Sequence, residues 1–395
     1  MQQYDAVIVG GGPIGGHIAK KIAEKNYNVA IFEKNKQIGV PLNCAGLITE
    51  KVFNFLNFDK NKVIQNKIKG ANIHSPSNYV LSIGGDKVHA VVIDRFSFDN
   101  EIINLSKKNG TEVFLKNKIL SIQKSKGFIQ LKTSKNTELK TNLIIGADGP
   151  YSIVRDRFGF TEPIEFLKGI GAELSGTNLD SNFVEIFVGR GIAPGFFAWI
   201  IPINEDGTKA RIGLCVDQNA KYSPKIYFEK FLKNKFTNQF IKNSKIEKKI
   251  GGVIPLGVLK KTYDANVLIV GDAAAQIKPT SGGGIYPGLL CANYCSKVAI
   301  DALNKNDFST QVLKKYQKLW SADIGRELFL GMKFRKIYKN LSDKQMDKYI
   351  LKFSNSKFTD IITKYGDIDY PSKLVKPLLK KAPSLLKLIP SIIKE

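Results

Sequence analysis

The amino-terminal segment constrains the fold more than any other part of the chain. Residues 5–9, DAVIV, form a short β-branched apolar run, and the glycines after it open the helical pattern IGGHIAKKIAEKN. Gly10, Gly12 and Gly15 have the spacing G-x-G-x-x-G. In this spacing the first glycine permits a tight turn, the second lets the backbone approach a pyrophosphate, and the third lets helix pack closely on strand. The segment therefore predicts the strand, turn and helix of a dinucleotide site.

The second strand supports this prediction through its last residue. The run NVAIFE ends in Glu33, eighteen residues after Gly15. An acid at this distance is expected to accept hydrogen bonds from ribose hydroxyls, and its charge disfavours a 2'-phosphate. The fingerprint predicts dinucleotide binding but leaves NAD and FAD both open.

Two later segments each place an aspartate just after a buried strand. TNLIIGADGPYSIVRDRFG predicts a strand at 143–145 and then Asp148, and ANVLIVGDAAAQIKPTSGGGIYPG predicts a strand at 267–270 and then Asp272. Together with the fingerprint they resemble the flavin-binding pattern of the glutathione-reductase type, in the subgroup of para-hydroxybenzoate hydroxylase. The resemblance implies FAD as cofactor, with Asp148 near the pyrophosphate and Asp272 on a ribityl hydroxyl. In the same subgroup an arginine lies near the cofactor, and Arg95 in VVIDRFSFD takes that position.

Three consecutive glycines, Gly282, Gly283 and Gly284, directly precede the helical pattern IYPGLLCANYCSKVAIDAL. A reduced flavin carries negative charge near N1 and its C2 carbonyl, which unobstructed backbone N–H groups and a helix amino terminus stabilise. We therefore expect these glycines to present bare backbone to the flavin ring.

The segments GDAAAQIKPTSGGGIYPGLLCA and PLNCAGLI make the resemblance narrower, because together they are similar to the geranylgeranyl reductase family of flavoproteins. The similarity extends from Tyr4 to about Ile300. It implies an enzyme that saturates prenyl chains, of archaeal-type ether glycerophospholipids or of the chlorophyll side chain. Two alternatives stay open at this point: a flavin-dependent hydroxylase of an aromatic or polyprenyl substrate, and a flavin-bound electron-transfer protein.

An aromatic segment, GFFAWIIP, is spaced much like the Tyr-x-Trp-x-Phe-Pro motif of that family. Phe197 replaces the tyrosine and Ile201 the phenylalanine, while Trp199 and Pro202 match. Large apolar side chains suit an isoprenoid slot and equally suit a sheet core. Phe197, Trp199, Pro202 and Tyr286 are the predicted substrate contacts.

Reduction of an isolated alkene needs a hydride, a proton and exclusion of water. Cys44 is the candidate catalytic residue, because the matching family motif places a cysteine beside the flavin ring and a thiol can donate a proton. A small buried structural cysteine is the alternative. A redox pair of Cys44 with Cys291 is also open. The predicted cofactor contacts are Gly10, Gly12, Pro13, Gly15, Glu33, Lys34, Cys44, Ala45, Arg95, Ala147, Asp148, Gly149, Gly271, Asp272, Gly282, Gly283, Gly284 and Ile285.

Composition limits the partners. The net charge is +25, yet only seven of sixty basic residues are arginine, and no nucleic-acid-binding motif surrounds the lysines. Four cysteines lack the paired spacing of a zinc site, so no metal is expected. We expect a cytoplasmic enzyme, without a signal peptide or a membrane-spanning helix. Its electron donor is external and undetermined: ferredoxin, a deazaflavin or NAD(P)H.

The predicted fold class is α/β. A Rossmann-like FAD domain comprises residues 1–60, 90–165 and 255–305, and residues 61–89 and 166–254 form an inserted antiparallel sheet that binds the substrate. Residues 306–395 form a helical region, whose last 25 residues hold six lysines and one glutamate, a net +5. Such an apolar, basic end suits either peripheral contact with an anionic membrane or a packed terminal helix.

Overall fold

The first strand, DAVIV with its flanking residues, lies at the centre of a mixed sheet in the computed structural model, which describes residues 1–381. In chain order the strands are β1 (Gln2–Val9), β2 (Val29–Phe32), β3 (Leu47–Ile48), β4 (Ile64–Ile68), β5 (Gly70–His74), β6 (Val80–Gly84), β7 (Ala90–Ile93), β8 (Glu112–Phe114), β9 (Ile119–Ser125), β10 (Phe128–Thr133), β11 (Glu138–Gly146), β12 (Glu165–Ser175), β13 (Phe183–Val188), β14 (Phe197–Pro202), β15 (Lys209–Asp217), β16 (Lys245–Leu256), β17 (Tyr263–Asp264) and β18 (Val267–Ile269). The helices are α1 (Pro13–Ala23), α2 (Arg95–Lys108), α3 (Ile153–Arg157), α4 (Pro224–Leu232), α5 (Lys235–Ile241), α6 (Ile285–Lys305), α7 (Thr310–Trp320), α8 (Arg326–Asn340), α9 (Asp343–Phe353), α10 (Ser356–Tyr365) and α11 (Val375–Lys381).

The first sheet has eight strands and a parallel centre in the order β18-β11-β1-β2-β8. Its register places Val9 opposite both Phe32 and Gly146, and Gly146 opposite Ile269. The carboxyl ends of these strands therefore meet at one edge, which is where ligands bind in open α/β sheets. The two predicted strand-to-aspartate segments reach this edge together with the glycine fingerprint.

Both faces of this sheet are covered, which explains why its strands are almost continuously apolar. On one face the strands pack against α1 and α6 around Ile8, Ile18 and Ile145, and Tyr316 and Trp320 of α7 extend the same core. On the other face the hairpin of β9 and β10 packs with α3. This packing holds the amino ends of α1 and α6 at the edge where the strands end.

The second sheet has seven strands in the order β16-β12-β15-β14-β13-β5-β6, all antiparallel except β13 and β5. One face buries Ile200, Ile212 and Leu214 against Phe228 and Phe231 of the helical pair α4 and α5. The opposite face, which carries Trp199 and Ile201, packs in part against Ile68, Ala90 and Val92. Three further strands, in the order β3-β7-β4, form a small sheet beside it.

These elements confirm the predicted α/β architecture with an inserted, largely antiparallel sheet and a helical carboxyl-terminal region. Within the predicted insertion 61–89, β5 and β6 join the large sheet, whereas β4 pairs with β7 in the small one. Among residues 1–381 no helix is long and apolar enough to cross a bilayer. The predicted basic tail lies outside the described residues from residue 382 onward.

Candidate active site

The glycine fingerprint leaves the first turn of α1 free of side chains. Gly10 has a φ of +107°, and a Cβ there would lie 2.3 Å from the carbonyl oxygen of Ala147. A Cβ on Gly15 would lie 2.1 Å from the carbonyl oxygen of Gly10, so helix and strand are in backbone contact. By contrast, a Cβ on Gly12 would meet nothing within 4 Å, and Gly12 caps α1 without a side-chain hydrogen bond. The helix end therefore presents free N–H groups to open space, as an anionic group requires.

Glu33 lies buried beside this turn at the end of β2. Its carboxylate accepts hydrogen bonds from the backbone N–H of Gly11 at 2.8 Å and of Asn35 at 2.7 Å. A carboxylate offers about four acceptor sites, so two remain for the hydroxyls of a ribose. Lys34 lines the same cavity next to Glu33.

Two partly buried aspartates follow the other two strand ends. Burial raises the pKa of Asp148 to about 6, although hydrogen bonds from the Ser152 hydroxyl and the Val154 N–H lower it in part. Burial likewise raises the pKa of Asp272 to about 6, against a lowering by Arg95. No described residue donates a hydrogen bond to the Asp272 carboxylate, which lines the cavity. That carboxylate therefore suits a ligand that brings hydroxyl donors.

The three glycines form the end of a closed loop before α6. The backbone N–H of Lys278 donates to the carbonyl of Gly283 at 3.2 Å, and that of Gly282 donates to the carbonyl of Lys278 at 2.8 Å. Gly284 caps α6 without a side-chain hydrogen bond, and a Cβ on it would lie 3.1 Å from Asp272 Oδ1. The loop thus exposes bare backbone and an uncapped helix end to the cavity.

Cys44 lies in the loop between β2 and β3, and its Sγ accepts a hydrogen bond from the backbone N–H of Gly46 at 3.3 Å. The guanidinium of Arg95 neighbours this thiol and makes two hydrogen bonds to Asp99, at 3.1 and 2.9 Å. Burial lowers the pKa of Arg95, but Asp99 and Cys44 raise it, and the net effect is a higher pKa. Arg95 therefore holds a positive charge that acts on both Cys44 and Asp272.

Arg211 fixes this loop from the second sheet. Its buried guanidinium pairs with Glu173 at 2.9 Å and donates to the backbone carbonyls of Ala45 at 3.0 Å and Ile93 at 2.8 Å. A Cβ on Gly46 would lie 2.3 Å from Arg211 Nη1, so glycine is needed for the guanidinium to reach. One side chain thereby positions both the Cys44 loop and the start of α2, which carries Arg95.

One cavity of about 860 Å³ extends from the glycine fingerprint and the two aspartates, past the glycine loop, Cys44 and Arg95, to the second sheet. Because β14 alternates, Phe197, Trp199 and Ile201 face the cavity, and the ring centroids of Phe197 and Trp199 are 6.0 Å apart. Pro202 was predicted to contact the substrate, but it belongs to the opposite face of β14 and does not line the cavity. Its carbonyl instead accepts a hydrogen bond from Asn66 at 3.0 Å.

The four cysteines are all free. Cys291 packs in the core between α6 and the first sheet, where burial raises its pKa well above the ordinary value. Cys44 packs instead with the cluster around Val91 and Phe98. Cys44 and Cys291 therefore do not form a pair in this structure. Among residues 1–381 no group of His, Cys, Asp and Glu side chains is arranged to hold a metal ion.

Most predicted site residues surround this one cavity. Gly15 and Gly271 do not line it. The predicted residues that line it are Gly10, Gly12, Pro13, Glu33, Lys34, Cys44, Ala45, Arg95, Ala147, Asp148, Gly149, Asp272, Gly282, Gly283, Gly284, Ile285, Phe197, Trp199 and Tyr286. Lys278 and Asp369 also line it and were not predicted from the sequence. Arg211 was missed too, although a charge inside the apolar strand ARIGLCV is a sequence signal for a buried partner.

This arrangement defines a class of protein: an FAD-binding oxidoreductase with a second sheet that lines the same cavity. Over the whole of both chains the fold superposes, with a TM-score of 0.86 and 24% identity, on a geranylgeranyl bacteriochlorophyll reductase-like protein of Thermoplasma acidophilum. Residues 169–253 match the model of the geranylgeranyl reductase catalytic domain. This stretch includes β13, β14 and β15. Phe197 and Trp199, which line the cavity, belong to β14.

Two relatives match along almost the full chain. An uncharacterised protein of Methanocaldococcus jannaschii is 36% identical over 95% of each chain. A digeranylgeranylglycerophospholipid reductase of the same organism is 32% identical over 97% of each chain. The chain belongs to the geranylgeranyl reductase family, which confirms the resemblance seen in the sequence and favours the reductase over the hydroxylase.

Proposed function

We propose that this protein is an FAD-dependent reductase that saturates the C=C bonds of geranylgeranyl chains, those of archaeal-type ether glycerophospholipids. One observation carries the proposal. A single cavity runs from the dinucleotide turn, past Cys44, to the apolar wall of Phe197, Trp199 and Ile201. The family and the 32% identical reductase support the same reaction and substrate class.

The residues present fit FAD. The open helix end at Gly12 would accept the pyrophosphate, Glu33 would bind the adenosine ribose, and Asp272 would accept a hydrogen bond from the ribityl chain. The bare backbone of Gly282, Gly283 and Gly284 would lie against the ring. FAD, when bound and reduced, supplies a hydride to an alkene carbon.

The protein's own groups must complete the reaction. An isolated alkene has no carbonyl to accept charge, so a proton has to reach the second carbon as the hydride reaches the first. Cys44 is the proposed proton donor, because it lines the cavity beside Arg95 and because the adjoining Ala45 packs in the same cluster as Trp199 of the apolar wall. Arg95, beside the thiol, would stabilise the thiolate left after the proton is given. The aromatic wall would hold the chain and exclude water.

Two further features of the proposal concern partners. The electrons come from an external donor, ferredoxin, a deazaflavin or NAD(P)H, and return the cofactor to its reduced state after each bond. The substrate carries lipid chains, and the charge of +25 would favour peripheral contact with the anionic cytoplasmic face of a membrane.

Product masses test the reaction directly. Enzyme reduced with dithionite would be incubated without oxygen with geranylgeranyl diphosphate and, separately, with geranylgeranylated glycerol phospholipids. We expect a gain of two hydrogens for each reduced bond, in the phospholipid more than in the diphosphate. Oxygen-dependent gain of one oxygen atom would instead identify a hydroxylase. Reoxidation of the reduced protein at the same rate with and without lipid, with no change of lipid mass, would support an electron-transfer role.

A further inference from the structure

A buried ion pair lies at the edge of the cavity, between Lys278 and Asp369. Lys278 Nζ is 2.7 Å from Asp369 Oδ1 and donates a second hydrogen bond to the carbonyl of Ile368 at 3.1 Å. Asp369 is 0% exposed, and its other oxygen accepts a hydrogen bond from the Thr49 hydroxyl at 2.6 Å. All four residues line the cavity. The pair is therefore shielded from bulk water and lies in the wall of the cavity.

The ammonium group lies beside the glycine loop. A Cβ on Gly283 would lie 2.9 Å from Lys278 Cε and 3.3 Å from Nζ, and no Asp369 atom is among the three nearest atoms. The backbone bonds between Lys278 and Gly283 hold the two residues together. At this loop the positive member of the pair is consequently closer than the negative one.

We infer that Lys278 and Asp369 set the redox poise of the cofactor, with Lys278 favouring the reduced form and Asp369 opposing it. The inference rests on the proposed function, because it needs the flavin ring to lie against the glycine loop. Reduction places negative charge on the ring, and a nearby ammonium lowers the energy of that charge in a site of low dielectric constant. A carboxylate slightly further away weakens the same effect.

Asp369 also connects this charge to the carboxyl-terminal region. It belongs to the segment GDIDY at 366–370, which joins α10 to the turn that precedes α11. Asp367 of this segment pairs with Lys51 at 2.9 Å and with Lys373 at 2.9 Å. These pairs hold the segment that carries Asp369 against the chain around Lys51 and against the turn before α11.

Two variants isolate the lysine charge without leaving a carboxylate buried and unpaired. Asp369→Asn keeps the ammonium and removes its counter-ion, and Lys278→Met/Asp369→Asn removes both charges. Midpoint potentials of the FAD-bound proteins would be measured at pH 7 by anaerobic titration with dithionite, without any lipid. We expect the Asp369→Asn potential to lie above the wild-type value. We expect the midpoint potential of the double variant to lie at least about 30 mV below that of Asp369→Asn. For two electrons this is a tenfold change in the affinity ratio of reduced to oxidised cofactor.

Controls separate charge from loop structure. Lys51→Met removes a positive charge at an exposed pair of the same segment, where Asp367 keeps its pair with Lys373, and should leave the potential unchanged. Lys278→Arg keeps the charge and should stay near wild type. Equal potentials in Asp369→Asn and the double variant, or a fall in Asp369→Asn, would overturn the inference. Wild-type protein that binds no FAD would overturn the proposed function instead, and retained flavin absorbance shows that each variant is folded at the site.

Discussion

Replacement of Asp272 by asparagine should have opposite effects on the cofactor-free protein and on the FAD complex. In the cofactor-free protein, burial raises the pKa of Asp272 from 3.8 to about 6, and no described side chain or N–H donates to it. A carboxyl group whose pKa is higher in the folded state opposes folding once it ionises. Stability is full below about pH 4, falls as pH rises towards 6, and is constant above that.

The size of the effect follows from the shift. Each pKa unit corresponds to about 1.36 kcal/mol, so an increase from 3.8 to about 6 lowers the free energy of unfolding at pH 7 by about 3 kcal/mol. Asparagine has no ionised form and nearly the same shape. Cofactor-free Asp272→Asn should therefore be more stable than wild type at pH 7 by about this amount and equal to it near pH 4. Asp148, whose pKa is also raised, is present in both proteins and cancels in the difference.

Binding of FAD should change in the other direction. A ribityl hydroxyl donates best to an ionised carboxylate, so wild-type affinity should rise as pH increases through 6, whereas the variant should bind at least tenfold more weakly at pH 7 and lack this dependence. Urea unfolding from pH 4 to 8 and titration of protein with FAD measure the two quantities. A stability difference that is the same at pH 4 and pH 7 would refute the pKa reasoning, and unchanged FAD affinity would remove Asp272 from the cofactor site.

Three further sets of substitutions test the site. Gly15→Ala places a Cβ 2.1 Å from a backbone oxygen and should lower the free energy of unfolding by about 1–3 kcal/mol. Gly12→Ala places a Cβ with nothing within 4 Å, so this variant should fold normally but bind FAD at least tenfold more weakly. Arg211→Met leaves Glu173 and two carbonyls unpaired and should lower the free energy of unfolding, measured in urea, by about 3–5 kcal/mol. A decrease below about 1 kcal/mol would exclude Arg211 as the residue that holds the Cys44 loop. Cys44→Ala should keep FAD but lose most alkene reduction, while the core variant Cys295→Ala keeps both; unchanged turnover in Cys44→Ala would remove the thiol from the mechanism.

The parts of the site that the sequence predicts are those in which backbone geometry dictates the residue. Gly10 and Gly15 are needed because any Cβ would collide with backbone, and such positions remain visible as a fixed spacing. Asp148 and Asp272 follow strands whose carboxyl ends must meet in a parallel sheet. The local sequence therefore predicts both the glycine turn and the edge of the sheet at which the strands end.

Contacts between side chains of distant segments produce no fixed spacing in the sequence. Lys278 and Asp369 are 91 positions apart, and a lysine in a chain so rich in lysine looks like any exposed one. Pro202 is the reverse case, a residue that the sequence predicts at the site but that does not line the cavity. A motif places it near Trp199 in sequence, but the alternation of β14 sends the two residues to opposite faces, and a spacing match does not record that alternation.

The wall of the cavity explains why this fold would select an isoprenoid over a polar aromatic substrate. Within the described residues, β13, β14 and β16 contribute only apolar side chains and glycines to the cavity, namely Ile186, Phe197, Trp199, Ile201, Ile250, Gly251, Gly252, Val253 and Ile254. A phenol or carboxylate pressed against this wall would lose hydrogen bonds to water, at a cost of about 1–3 kcal/mol for each unpaired group. Each buried methylene of a prenyl chain instead gains about 0.8 kcal/mol. The same wall would thus bind a lipid chain and reject the substrates of hydroxylases that share the scaffold, so the selectivity would arise from the second sheet rather than from the strand ends of the first.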